Sequence, residues 1–282
     1  MLLLAVGIGL LVGLVLGLTG AGGSVLAVPL LVYLLGLPMA DAAGLSLGMV
    51  ALAALVATAS RLLSASGRAA VAWMPALVLV AGGALLVPAG QQLGRWLPDT
   101  FLLLAFALLT LVVAWRMWRL ASTDPASSQF VRAGVAAEAS VAPACELSES
   151  GQFEMRLPCL VRMLLAGALV GVLSGLFGVG GGFVIVPALV LLTGLPMAQA
   201  VATSLVVIAL VATTGFAGYA LAGLTAGQAT PELVASLASG AVLGMGGGIL
   251  LARYLAGPML QKLFAALLVV VAAAVTLMEV MA

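Results

Sequence analysis

Long apolar runs dominate this chain, and glycine rather than charge interrupts them. Leu2 to Leu18 contains no polar side chain, and Gly9, Gly13 and Gly17 recur at every fourth position within it. That spacing sets three small residues on one helical face and predicts close approach by another helix. The run breaks at Gly20-Ala21-Gly22-Gly23-Ser24. Val25 to Leu35, which contains Pro29, is too short to cross about 30 Å of hydrocarbon untilted. After a turn at Gly36 to Asp41, three longer segments follow: Ala42 to about Leu63, Val71 to Leu93, and Phe101 to Trp118.

From residue 121 to 159 the pattern changes. Asp124, Glu138, Glu146, Glu149 and Glu154 lie here among Ser, Ala, Gln and Pro, which predicts a soluble, mobile linker. Beyond it the first half returns at a constant offset. Gly9, Gly13 and Gly17 reappear as Gly167, Gly171 and Gly175, Pro29 as Pro187, Ser46 as Ser204, and Phe106 as Phe264. The glycine break returns as Gly178-Val179-Gly180-Gly181-Gly182, and Gly36-Leu37-Pro38-Met39-Ala40 returns as Gly194-Leu195-Pro196-Met197-Ala198. A repeat in register over so long a span is architectural. The division expected is a membrane repeat at 1–120, a polar linker at 121–159, and a second membrane repeat at 160–282.

Composition turns these runs into membrane segments. Of 282 residues, 65% are hydrophobic and 7% charged, against about 25% charged in soluble domains. Too few charges remain to cover a water-facing surface, so an integral membrane protein is expected. The start of the chain has no basic residue ahead of its apolar run and reads as the first segment rather than a cleaved signal. A net charge of +1 implies no nucleic-acid partner. No histidine is present, which removes the commonest general base and metal ligand; no enzyme activity, catalytic residue, metal or cofactor is expected. Cys145 and Cys159 make no CxxC pair and read as ordinary loop thiols. Trp73, Trp96, Trp115 and Trp118 sit at segment ends, as interfacial anchors do.

Loop charges indicate how the halves are oriented. Arg61 and Arg68 bracket the loop after the third segment, whereas the matching loop of the second half, Tyr219 to Pro231, has no basic residue. After the fourth segment the bias reverses, with Arg95 against Asp99 in one half and Arg253 and Lys262 in the other. Positive charge prefers the cytoplasmic side, so the halves are predicted to be inverted. The fold class expected is an all-α polytopic membrane protein of two inverted repeats. Each repeat has about five helical segments with glycine-broken helices. The linker lies inside, both termini lie outside, and the chain sits in the cell membrane. The first two segments of each half either both cross or form a re-entrant hairpin; both options preserve the inversion.

Broken helices in lipid must have a use for their freed backbone groups. A helix starting after such a break presents unpaired N–H groups and the positive end of its dipole, which suits an anion. Gly22, Gly23 and Ser24 would supply donors from one half and Gly180, Gly181 and Gly182 from the other, beside Gly20 and Gly178. Ser46, Thr203 and Ser204 in the third segments could complete the site, or back-bond to their own helices. The competing reading is that these glycines only let helices pack. Asp41, and its repeat equivalent Gln199, read as caps of the third segments. No charged residue lies deep in a segment, which argues against a carboxylate-driven cation pump.

The paired Gly-x-Gly-Gly-Ser/Gly phrase, each followed by Pro and then by Gly-Leu-Pro, resembles the TauE/SafE sulfite-exporter family of membrane permeases. The resemblance covers about residues 1–120 and 160–280. It implies that Gly20, Gly22, Gly23 and Pro29, with Gly178, Gly180, Gly181, Gly182 and Pro187, are motif positions. It also implies transport of sulfite or small organosulfur anions. Ser24 departs from a full glycine triplet, and the linker is longer than expected. Together the residues and the resemblance predict a secondary transporter of small oxyanions working by alternating access, with the lipid bilayer and a small anion as partners and a homo-oligomer allowed. An anion or small-solute channel and a non-transporting assembly factor are the alternatives.

Overall fold

A computed structural model describes residues 2–19, 23–63, 71–123, 157–193, 195, 197–221 and 230–251, and residues 266, 269, 270, 272, 273 and 276. Gly20, Gly22, Arg68, Arg253, Lys262, Cys145 and nearly all of the linker lie outside the described residues. Nine helices are described: α1 (Leu2–Thr19), α2 (Ser24–Leu35), α3 (Met39–Leu62), α4 (Trp73–Trp96), α5 (Asp99–Thr123), α6 (Leu157–Phe177), α7 (Gly182–Thr193), α8 (Met197–Leu221) and α9 (Pro231–Leu251). No strand occurs among the described residues.

Five stretches are long and apolar enough to cross a bilayer: Met39–Leu62, Trp73–Trp96, Leu157–Phe177, Gln199–Leu221 and Pro231–Leu251. Their burial sorts them into two groups. In α3 and α8, 78% and 67% of the most apolar stretch is buried, against 39% in α4 and α6 and 44% in α9. The first two form the centre. The others turn one apolar face outward, with Leu85 79% and Leu243 67% exposed in mid-helix. Water would penalise such a surface, and lipid tails do not. The protein is a multi-pass all-helical membrane protein. Trp73 and Trp96 stand exposed at the two ends of α4, as anchors do.

Local chemistry explains the breaks. Gly36 ends α2 in the left-handed region (φ 67°), with its N–H donating to the Leu31 carbonyl. Leu37 N–H reaches the same oxygen at 3.5 Å. Pro38 then caps α3 through its backbone, its carbonyl accepting from Ala42 at 2.9 Å. Asp41 is therefore not the cap expected from sequence. The helix starts earlier, at Met39, and Asp41 lies in its first turn, where a negative charge still suits the dipole. Cys159 corrects a second expectation: it is buried within α6, not in a loop.

The glycine faces do pack. A Cβ at Gly13 would collide with the Ala241 backbone of α9, and one at Gly171 with the Gly83 backbone of α4. Contacts run in register along both pairs. Gly9 meets Leu237 and Gly17 meets Met245, so α1 and α9 run parallel. Gly167 meets Leu79 and Gly175 meets Val87, so α4 and α6 run parallel too. The first helix of each half thus packs on the fourth helix of the other. The third helices face each other antiparallel: a Cβ on Gly44 would come within 2.9 Å of the Tyr219 ring, and one on Gly48 within 2.7 Å of the Phe216 ring.

Candidate functional site

The segment joining α6 to α7 reverses the chain with three glycines in the left-handed region. Gly178, Gly180 and Gly181 have φ of 69°, 66° and 69°, where a Cβ costs roughly 1–2 kcal/mol. Gly178 ends α6 by donating its N–H to the Ser174 carbonyl at 2.9 Å. The Gly181 carbonyl starts α7, accepting from Val184 at 3.0 Å and Ile185 at 3.1 Å. Between these bonds, the N–H groups of Gly180, Gly181 and Gly182 find no acceptor among the described residues. All three residues are buried. A buried, unpaired N–H is costly and uncommon.

The turn runs inward from Gly178 to Gly180. A Cβ on Gly180 would approach Val50 at 3.1 Å, Ile208 at 3.8 Å and Ala212 at 3.9 Å, and those residues sit near the middles of α3 and α8. With 12 residues, α7 extends about 18 Å at 1.5 Å per residue, roughly half the membrane thickness. Its first residue, Gly182, is buried, so its positive end is shielded from solvent. Gly178 itself packs on the backbone of Ala43 in α3.

Two hydroxyls flank this turn. Ser46 lies three residues after Ala43 and four before Val50, on the face of α3 that meets the turn. Ser174 lies one turn after Val170, which abuts Gly181, and one turn before Gly178. Both are fully buried, and neither Oγ has a hydrogen-bond partner among the described residues. Ser174 was not singled out from sequence. Its repeat equivalent is Leu16, so the internal comparison hid it. The legible signal was a serine in an otherwise apolar run four residues before the glycine break.

The remaining candidates divide. Ser24, 1% exposed at the start of α2, also has an Oγ without a partner among the described residues. Gly23 precedes it as the N-cap residue with φ −62°, unlike its counterpart Gly181. A Cβ on Gly23 would run into the α1 backbone at Val12 and Leu16, so this glycine is also needed for packing. Pro29 is buried inside α2 and leaves the Val25 carbonyl without its helical donor; Pro187 occupies the same position in α7. Ser204 back-bonds, donating to Val201 at 2.9 Å. The Thr203 hydroxyl accepts from the Ala72 N–H at 3.0 Å, tying α8 to the start of α4. Among the described residues Ser46 and Ser174 thus stay unpartnered at the second glycine turn, while Thr203 and Ser204 are already engaged.

Above the turn a small recess of about 30 Å³, partly open to solvent, is lined by Ala43, Gln91, Arg95, Asp99, Leu176 and Tyr219 among others. Ala43 and Leu176 also border the glycine turn, so the recess ends on its shoulder. The Gln91 amide donates to the Gly215 carbonyl at 2.7 Å and fixes one wall. Arg95 and Asp99 stand exposed at the rim.

A family model described as Sulfite exporter TauE/SafE matches residues 5–275. Two relatives from Xylella fastidiosa, strains Temecula1 and 9a5c, each carry the name "Probable membrane transporter protein". Each is 31% identical over 276 residues, covering 96% of this chain and 93% of the relative. No solved structure matches the chain.

Proposed function

The chain belongs to the sulfite exporter TauE/SafE family and is a membrane transporter, and on that premise we propose that it carries small oxyanions, sulfite or organosulfur anions, by alternating access. The observation that carries this reading is the buried turn Gly178–Gly182. Three N–H groups and two hydroxyls that have no partner among the described residues lie at or beside this turn, together with a helix's positive end. Neutral donors oriented at one point stabilise an oxyanion, and glycine lets its oxygens approach the backbone. Packing alone leaves the donors of this turn unexplained, whereas it accounts fully for Gly9, Gly13 and Gly17.

The domain division at 1–120, 121–159 and 160–282 and the inversion of the two repeats belong to the same proposal. Equivalent helices α3 and α8 run antiparallel at the centre, and the first and fourth helices exchange partners between halves. That is the pattern of a two-fold axis lying in the membrane plane, around which one half rocks against the other. In this reading Arg61 lies inside, the rim at Arg95 lies outside, and the recess above Gly178 is the outer approach. Gly20, Gly22, Gly23 and Ser24, with Thr203 and Ser204 nearby in the repeat, form the counterpart approached from inside.

Purified protein in liposomes is expected to take up labelled sulfite saturably and to accelerate it when unlabelled sulfite is trapped inside. Absence of saturable uptake for sulfite and for organosulfur anions would sink the proposal. Ion conductance far above carrier rates would identify a channel instead.

A further inference from the structure

We propose that the Gly178–Gly182 site selects oxyanion groups bearing a single negative charge, such as a sulfonate or hydrogensulfite, over dianions such as sulfate. This deepens the oxyanion reading above and rests on it.

The basis is the balance of charge at the turn. Among the described residues the buried side chains with polar oxygens are serines and threonines, together with Tyr219 in the recess, and no Asp, Glu, Lys or Arg is buried. The walls at the turn are Ala43, Val50, Val170, Ile208 and Ala212, all apolar. Whatever compensates an anion here must be neutral: the N–H groups of Gly180 to Gly182 and the hydroxyls of Ser46 and Ser174. The start of α7 adds roughly half an elementary charge, and the oriented N–H and hydroxyl dipoles add to it. That field is closer to balancing one charge than two. Removing a dianion from water costs roughly four times as much as removing a monoanion, because the Born penalty grows with the square of the charge. Sites for dianions usually add arginine or lysine for this reason.

Arg95 does not supply the missing cation. It stands exposed, with Asp99 lining the same recess, whereas Gly180 within the turn lies against Val50 and Ile208. The rim can gather anions of either charge, so discrimination falls to the turn. Hydroxyls add one further property. Unlike an N–H, a serine can accept as well as donate, so Ser46 or Ser174 can meet the proton of hydrogensulfite without a clash.

Probes of fixed charge test this at constant pH and ionic strength. In proteoliposomes, methanesulfonate is expected to compete with labelled sulfite at a concentration about tenfold or more below that needed with sulfate or thiosulfate. Equal or better competition by sulfate or thiosulfate, or none by methanesulfonate, would overturn the proposal. Ser174→Ala is expected to weaken methanesulfonate competition by about tenfold, and an unchanged value would remove Ser174 from the site. If the wild-type protein takes up no sulfite at all, the oxyanion reading fails separately. Thermal shifts with methanesulfonate and sulfate then still report whether the folded protein prefers the single charge, and a larger shift with sulfate would overturn the preference.

Discussion

Ser46 and Ser174 are the residues whose presence is hardest to explain by folding. A hydroxyl buried without a partner costs about 1–3 kcal/mol, and both are fully buried and unpartnered among the described residues. Alanine at either position removes that cost. Ser46→Ala and Ser174→Ala are therefore expected to keep or raise the melting temperature of the ligand-free protein while weakening sulfite uptake. A hydrogen bond to a charged group contributes about 1.5–3 kcal/mol, so the half-saturating concentration should rise at least tenfold. A variant that loses stability and transport together would point to a packing role. Gly181 responds differently, since its positive φ and the nearby Val170 side chain make even alanine strained. Substitution there confounds folding with binding, which is why the serines are the better probes.

At the scale of elements, glycine has two separable uses. Along α1 and α6 it brings backbones together, and in the turn before α7 it permits a left-handed chain. Gly7 and Gly13 of α1 discriminate within one helix. A Cβ on Gly7 meets nothing within 4 Å, whereas one on Gly13 strikes the Ala241 carbonyl. Gly7→Ala is expected to leave the melting temperature unchanged or raise it, since alanine favours helix by up to about 1 kcal/mol. Gly13→Ala should lower it by the cost of overpacking, about 1–3 kcal/mol. Equal effects would mean that α1 does not sit against α9 as described. The half-length of α7 has its own logic: a full-length helix would carry its positive end to the membrane surface, where water would screen it.

At the scale of the molecule, the exchange of helices between halves supports two predictions. A cysteine introduced at Arg61 and one at Ala226 should label from opposite sides of the membrane, and labelling from one side would end the inverted reading. The exposed rim charges act on approach rather than on the bound anion. Arg95→Gln should therefore reduce uptake several-fold at low ionic strength and much less at high salt, where a Debye length near 10 Å or below screens the rim. Asp99→Asn should move uptake the other way. Rates insensitive to salt in all three proteins would place anion entry elsewhere.

Much of this architecture is legible without coordinates. Apolar run length and scarce charge require a membrane, because the chain has no means of covering itself in water. The four-residue glycine spacing predicts close helix contact, and α1 against α9 has it. The repeated glycine and Leu-Pro phrases mark where helices stop, since glycine and proline act on the local backbone wherever they stand. Other features depend on partners distant in sequence. Which hydroxyls are satisfied could not be read from the pattern: Ser46 and Ser204 are repeat equivalents, yet one is unpartnered among the described residues and the other bonds Val201. Thr203 is engaged by Ala72, from the other half of the chain. Ser174 acquires meaning only because α6 and α3 bring it and Ser46 to the same turn. Periodicity and composition decide the environment and the breaks, because these are properties of short stretches. Burial and hydrogen-bond satisfaction are decided by folding, because each depends on what the far half of the chain brings alongside.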